Sequence, residues 1–136
     1  MVSRRDRDEF DRLLDRQVDA LPPALHELLA EVPLIVDDEP TADLLESLGM
    51  TPGDDDLCGL HDGTPLTERS VEAEPAVPDR MMLFRGPIMR LAGYSGVRYT
   101  AEAHARLTEE IRITLLHEIG HHFGLDEDDL ERLGYA

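Results

Sequence analysis

The longest helical pattern in the sequence lies in its last third, between Thr100 and Gly124. Leu107, Ile111 and Leu115 recur every fourth residue, so they fall on one stripe of an α-helix. The Thr100 hydroxyl is suited to accept a hydrogen bond in the first turn, and Gly124 is suited to the left-handed conformation that ends many helices. A long helix with an apolar stripe has to pack against other elements, so this segment constrains the fold more than any other.

Shorter patterns before this helix predict a small α+β domain. Three apolar runs, PLIVDD, LCGLH and RMMLFR, are typical of strands. Helical spacing predicts three earlier helices, over about residues 5–20, 23–32 and 41–48. The Asp62-Gly63 pair favours a tight hairpin turn. We therefore expect one domain over residues 1–136, with a mixed sheet of about three strands and the long helix near the C-terminus.

The charge of the chain limits its partners. Thirty acidic and thirteen basic residues give a formal net charge of −17 over 136 residues. Such a chain repels polyanions, which argues against binding to nucleic acid or to an anionic membrane surface. The charged N-terminal run and the lack of a long apolar stretch predict a cytoplasmic protein without a membrane span. The single cysteine, Cys58, agrees with a reducing compartment, and we expect a monomer.

The long helix carries the pattern HEIGH, which runs from His117 to His121. Histidines four residues apart lie about 40° apart around a helix axis, so both rings can reach one point in space. Each can present a ring nitrogen to Zn²⁺. Glu118 is rotated off this row and is placed to act as general base toward a water on the metal, whose pKa zinc lowers to about 7. The pattern predicts zinc ligands at His117 and His121 and a catalytic base at Glu118.

The same three side chains can also form a polar helix edge that binds nothing. Two neighbouring features favour the metal site. The surrounding helix is mostly apolar, so burying two histidines and a glutamate there without a metal or hydrogen-bond partners would be costly. Gly124 follows His121 by three residues and lets the chain turn back toward the metal, carrying the acidic run DEDD with it.

Residue 127 distinguishes among the known zinc-binding patterns of this kind. The metzincin pattern has a third histidine where this chain has Glu127. The run EEIRITLLHEIGHHFGLDEDDLERLG instead resembles the minimal zincin-like metallopeptidases, small bacterial proteins with H-E-x-x-H-x-x-G-x-x-D near the C-terminus. A weaker likeness extends to PLIVDDEP, GLHDGTPLTERSV and PDRMMLFRGPI. The resemblance implies a zincin-like fold with Glu127 as third zinc ligand, at the family's aspartate position. Asp126 and Asp128 are the alternatives.

The resemblance also implies the activity of a zinc-dependent metallopeptidase, which hydrolyses peptide bonds through zinc-bound water assisted by Glu118. Its partner would be a peptide or protein substrate, paired with an edge strand formed by MMLFR or LCGLH. The alternative is a non-catalytic zincin-like module in which zinc stabilises the domain for binding a partner protein. Glu118 favours the enzyme, because a structural zinc site usually closes its coordination with a fourth protein ligand.

Overall fold

The computed structural model describes residues 2–51, 57–62, 80–94 and 100–132. The elements in these ranges are, in chain order, α1 (Arg4–Asp19), α2 (Pro23–Ala30), β1 (Leu34–Asp37), α3 (Ala42–Ser47), β2 (Gly59–Asp62), β3 (Arg80–Phe84), α4 (Arg85–Leu91), α5 (Ala101–Phe123) and α6 (Glu127–Arg132). The hairpin turn predicted at Asp62-Gly63 lies outside these ranges, since Gly63 is not described. In the described part of the chain, no helix has the length and apolar character needed to cross a membrane.

The three strands form one mixed sheet in the order β1-β3-β2. β1 is parallel to β3, with Val36 opposite Leu83, and β2 is antiparallel to β3, with Gly59 opposite the same Leu83. Met81 and Leu83 of β3 are fully buried and belong to the same core as the apolar stripe of α5. The predicted α+β fold, with a small mixed sheet and a long helix near the C-terminus, is confirmed.

The long helix α5 begins and ends at the predicted residues. The Thr100 hydroxyl accepts a hydrogen bond from the Ala103 N–H at 3.0 Å, which caps the first turn. Gly124 adopts φ 65°, in the left-handed region where a glycine has no Cβ to clash. Leu107 and Ile111 of the apolar stripe are fully buried, and α5 packs against α1, α4, β2 and β3. This packing holds α5 across the sheet.

One side of α5 differs from the sequence prediction. Its apolar residues extend beyond the stripe to Ile113 and Leu116, so the sequence predicts burial on more than one side. Ile113 is 47% exposed and Leu116 is only partly buried. The side of α5 that carries these two residues therefore lines an open cleft, together with residues of the following turn and of α6.

Ion pairs at Arg85 join three elements. The guanidinium of Arg85, which begins α4, donates to Asp11 of α1 at 2.8 and 3.0 Å and to Asp38, just after β1, at 2.9 Å. Its side chain is only 11% exposed. Arg7 of α1 also donates to Asp38, and the hydrogen bonds from Arg7 and then Arg85 lower the pKa of the Asp38 carboxyl. The network ties α1 to the end of the sheet.

We expect Arg85→Ala to lower the free energy of unfolding by about 1–3 kcal/mol, because the partly buried Asp11 carboxylate loses the donor of its two hydrogen bonds and Asp38 loses one of its two arginine partners. Urea denaturation measures the change. Arg12→Ala is the matched control, since it removes an exposed pair with Glu9 within α1 and should cost about 0–1 kcal/mol. Equal losses in the two variants would contradict a stabilising role for the Arg85 network.

Candidate metal centre

His117 and His121 lie one turn apart on α5. Their ring centroids are 4.2 Å apart and their planes are inclined by 45°. Both side chains are exposed, which corrects the expectation that the apolar helix would bury them. Partial desolvation, and then repulsion from His121, lower the pKa of His117. The His117 imidazole is therefore neutral near pH 7, the state in which a ring nitrogen can coordinate a metal.

Glu118 is the buried member of the motif. Its side chain is 5% exposed, and burial raises the pKa of its carboxyl to about 7. Its Oε2 atom has no hydrogen-bond partner among the described residues. A buried carboxyl without a partner is costly unless it stays protonated or meets a ligand. Glu118 therefore has the properties of a functional group and not of a structural one.

Gly59 of β2 lies directly against Glu118. A Cβ atom at residue 59 would stand 2.9 Å from the Cγ atom of Glu118 and 3.0 Å from its Cδ and Oε1 atoms. The backbone of β2 can therefore approach the carboxyl only because residue 59 has no side chain. Sequence reasoning missed this contact, although a glycine inside the strand pattern LCGLH is a known signal of close approach.

If Glu118 acts as the base that the HEIGH pattern predicts, Gly59→Ala is expected to displace its carboxyl and to lower the predicted peptide cleavage by about tenfold or more, since small misplacements of a catalytic group are costly. The unfolding free energy should fall by about 1–3 kcal/mol, because the buried Glu118 side chain has to shift from its Cγ atom outward. Kinetics and urea denaturation of the same preparation separate these effects. Leu48→Ala, just after α3 where the side chain is 44% exposed, is the control and should keep its activity. Unchanged cleavage in Gly59→Ala would mean that this contact does not position Glu118.

The chain turns back sharply after α5. The Leu125 N–H donates to the Gly120 carbonyl at 2.8 Å, and a Cβ atom on Gly120 would lie 2.8 Å from the Leu125 carbonyl oxygen. Gly124 supplies the left-handed residue of this turn. Gly120, between the two histidines, thus gives the returning chain room to pass close to the helix. The turn brings the acidic run to the same side of α5 as the histidines.

The histidines and part of the acidic run line one open cleft of about 700 Å³, which we call the α5–α6 cleft. Its lining residues are Ile113, Leu116, His117, Gly120, His121, Leu125, Asp126, Glu127, Leu130 and Glu131. Asp128 is not among them. Two of the three carboxylates considered as third ligand, Asp126 and Glu127, therefore share a surface with the histidine pair.

The Asp126 carboxylate already accepts a hydrogen bond from the backbone of α6. Its Oδ1 atom accepts a hydrogen bond from the Asp129 N–H at 2.8 Å, and the Asp129 Oδ2 atom accepts one from the Asp126 N–H at 3.0 Å. Asp126 therefore caps α6. The Glu127 carboxylate is exposed and has no hydrogen bond to the described residues. Glu127 as third ligand stays a prediction, favoured by its place in the cleft and by its uncommitted carboxylate.

The types of donor atom present fit a zinc ion, although no third donor stands with the two histidines among the described residues. Among the described residues, no three histidine, cysteine or carboxylate side chains stand together in a metal-binding group. His117 and His121 supply two nitrogen donors on one surface, and the buried Glu118 follows His117 directly in the helix. A third ligand would have to come from the cleft wall, and the exposed Glu127 carboxylate is the one that the resemblance predicts.

His122 is separate from this donor set. Its side chain is 1% exposed and meets the Phe123 ring edge-on, with ring centroids 4.4 Å apart. The helix geometry places His122 away from the row of His117 and His121 and predicts a buried or hydrogen-bonding histidine there. The structure shows the buried one, and His122 belongs to the packing of α5.

A comparison with protein families shows which family the chain belongs to. The sequence model of the zincin-like metallopeptidase family matches residues 29–135, which is most of the chain. The chain belongs to this family. The matched range holds all three strands, the α4 and α5 helices and the α5–α6 cleft, whereas α1 lies before it. A comparison with curated proteins finds no match. The resemblance read from HEIGH and the acidic run is thus confirmed at the level of the family.

Proposed function

We propose that the protein is a zinc-dependent peptidase, with His117, His121 and Glu127 as metal ligands and Glu118 as general base. Membership of the zincin-like metallopeptidase family supports the class of reaction. Zinc, when bound, would polarise the scissile carbonyl and lower the pKa of a water molecule. The chain's own residues hold the metal and move the proton.

The observation that carries the proposal is the Glu118 carboxyl, which follows His117 directly in α5 and is buried against Gly59 of β2. A general base works best when its pKa is near the working pH, and burial raises the pKa of Glu118 to about 7. Glu118 can therefore accept a proton from the attacking water and return it to the leaving amine. Gly59 holds the carboxyl on one side, which limits the positions it can adopt.

The order of the strands in the sheet limits which strand could pair with a peptide. MMLFR forms β3, which is paired on both sides, with β1 and with β2. A peptide cannot add to a central strand, so β3 is wrong as the recognition strand. The alternative, LCGLH, contains the first residues of β2, which lies at one end of the described sheet and touches Glu118 through Gly59. We propose β2 as the strand along which a peptide lies.

Zinc titration of the metal-free protein tests the metal centre. We expect one zinc ion per chain, and we expect His121→Ala to weaken the affinity by more than about 100-fold, since even outer-shell partners of a metal are worth 10–100-fold. His26→Ala, in α2, is the control and should bind zinc as the wild type does. Equal zinc affinity in wild type and His121→Ala would overturn the proposed centre.

A second pair of variants tests the third ligand. Glu127→Ala should weaken zinc binding much more than Asp128→Ala, because Glu127 lines the cleft with the histidines and Asp128 does not. The reverse order would assign the third ligand to Asp128. Cleavage of a diverse peptide library by the zinc-loaded protein then tests the activity. Tight zinc binding without any cleavage would favour the alternative, a non-catalytic zincin-like module that binds a partner protein.

A further inference from the structure

The floor of the α5–α6 cleft is aliphatic. Ile113 and Leu116 come from α5, Leu125 comes from the turn after it, and Leu130 comes from α6. Ile113 is 47% exposed, and the three leucines are only partly buried. Four aliphatic side chains around one concave surface form an apolar site of the kind that binds a ligand side chain.

The rim of the cleft is acidic. Asp126, Glu127 and Glu131 are exposed at its edge, and no arginine is among its described lining residues. Even if Glu127 is committed to zinc, two carboxylates remain. The formal net charge of −17 adds to the negative potential around the cleft. A cationic ligand would therefore be attracted and an anionic one repelled.

The cleft is continuous with the candidate metal centre, because His117 and His121 form part of its wall. Its volume of about 700 Å³ lies within the common range of ligand pockets and exceeds what one side chain fills. A peptide segment held there would have its neighbouring peptide bond beside the two histidines. The cleft is thus placed to select the sequence next to the bond that is cleaved.

We propose that the α5–α6 cleft is a substrate-selecting site for a peptide segment with a large aliphatic side chain next to lysine or arginine. The aliphatic side chain contacts Leu116 and Leu130 on the floor, and the cationic side chain pairs with Glu131 and Asp126 at the rim. This inference rests on the proposed peptidase function, since it assigns the residues flanking the cleaved bond. The chemistry of the occupant follows from the apolar floor and the charge of the rim.

The test measures binding separately from cleavage. The zinc-loaded Glu118→Gln protein is titrated into a fluorescein-labelled peptide with one central leucine between two lysines, and fluorescence anisotropy gives Kd. Replacing the leucine by serine should weaken binding by about tenfold, the value of burying one aliphatic side chain. Replacing both lysines by glutamates should weaken it by about fivefold or more at low salt and much less at high salt.

Two protein variants locate the binding site. Glu131→Lys should weaken binding of the lysine peptide severalfold and improve binding of the glutamate peptide, and Leu130→Ser should reduce the preference for leucine over serine. Matched controls lie outside the cleft: Glu46→Lys in α3 and Leu91→Ser, whose leucine is 63% exposed at the end of α4. Both controls should bind the peptide as the parent protein does. Glu131 is fully on the surface, so its variant keeps the test valid if Leu130→Ser is unstable.

The outcomes separate this inference from the peptidase proposal. Selective binding that Glu131→Lys alters supports the cleft assignment, even if the wild type cleaves none of the peptides. Cleavage without any preference for leucine or lysine overturns the cleft assignment and leaves the peptidase standing. A dimer in solution that Leu130→Ser dissociates would assign the cleft to a second copy of the chain and would also overturn it.

Discussion

Glu118→Gln is expected to lower kcat/KM for peptide cleavage by about 10²–10⁴-fold, while zinc content stays at the wild-type level. Glutamine keeps the shape of the protonated carboxyl, so the contact with Gly59 and the packing of α5 should persist. It cannot accept a proton, so the attacking water loses its base. The measurements are peptide hydrolysis and bound zinc, made on the same preparation.

Glu110→Gln on the same helix is the matched control, since it makes the same chemical change two turns before Glu118 and outside the described cleft. It should leave kcat/KM within about twofold of wild type. If Glu118→Gln retained full cleavage, the base would have to be sought elsewhere and the role of Glu118 would be wrong. If it lost zinc as well, the variant would have disturbed the centre and not only the proton transfer.

Local signals in the sequence predict the long helix well. Thr100 and Gly124 act within one turn of their own positions, so the residues at which α5 starts and stops can be read without knowledge of the fold. The same holds for Thr41, whose hydroxyl accepts from the Leu44 N–H at the start of α3. The placement of His117 and His121 on one face follows from helix geometry alone.

The surroundings of the motif could not be predicted in this way, because they depend on which elements meet. Burial of Glu118 requires β2 to lie against α5, and the exposure of Ile113 depends on which elements pack beside that side of α5. The prediction that the apolar helix buries the histidines is wrong for the same reason. The proposed metal site is therefore supported by the paired rings and by the family, and not by the cost of burying the histidines.

The acidic run shows a further property that the sequence alone could not predict, namely which carboxylate is free to bind a metal. Asp126, Glu127 and Asp128 are chemically similar and adjacent, so the sequence offers three possible ligands. The structure separates them by what each already does: Asp126 caps α6, Glu127 lines the cleft and Asp128 lies outside it. A capping bond forms only where the chain has turned at Gly124, and no spacing rule specifies which carboxylate the turn will leave uncommitted.

The metal-free protein is expected to lose stability as the pH rises from about 5 to 8, because Glu118 must ionise in a buried position. The pKa of Glu118 is about 7 in the folded chain, against the ordinary value of 4.5. Between these values the folded protein binds more protons than the unfolded protein, so the free energy of unfolding falls as pH rises through 7. At about 1.4 kcal/mol per pKa unit, the loss attributable to Glu118 is about 3 kcal/mol.

Comparison with Glu118→Gln isolates this contribution, since all other titrating groups are common to both proteins. With zinc removed by a chelator, the variant should be more stable than wild type by about 3 kcal/mol at pH 8 and by less than about 1 kcal/mol near pH 5, measured by urea denaturation. The same substitution that removes catalysis would thus stabilise the metal-free fold, as expected for a group kept for function at a cost in stability. A stability difference that does not change with pH would show that the Glu118 carboxyl is not destabilised by its burial, and the proton-transfer role would lose its physical basis.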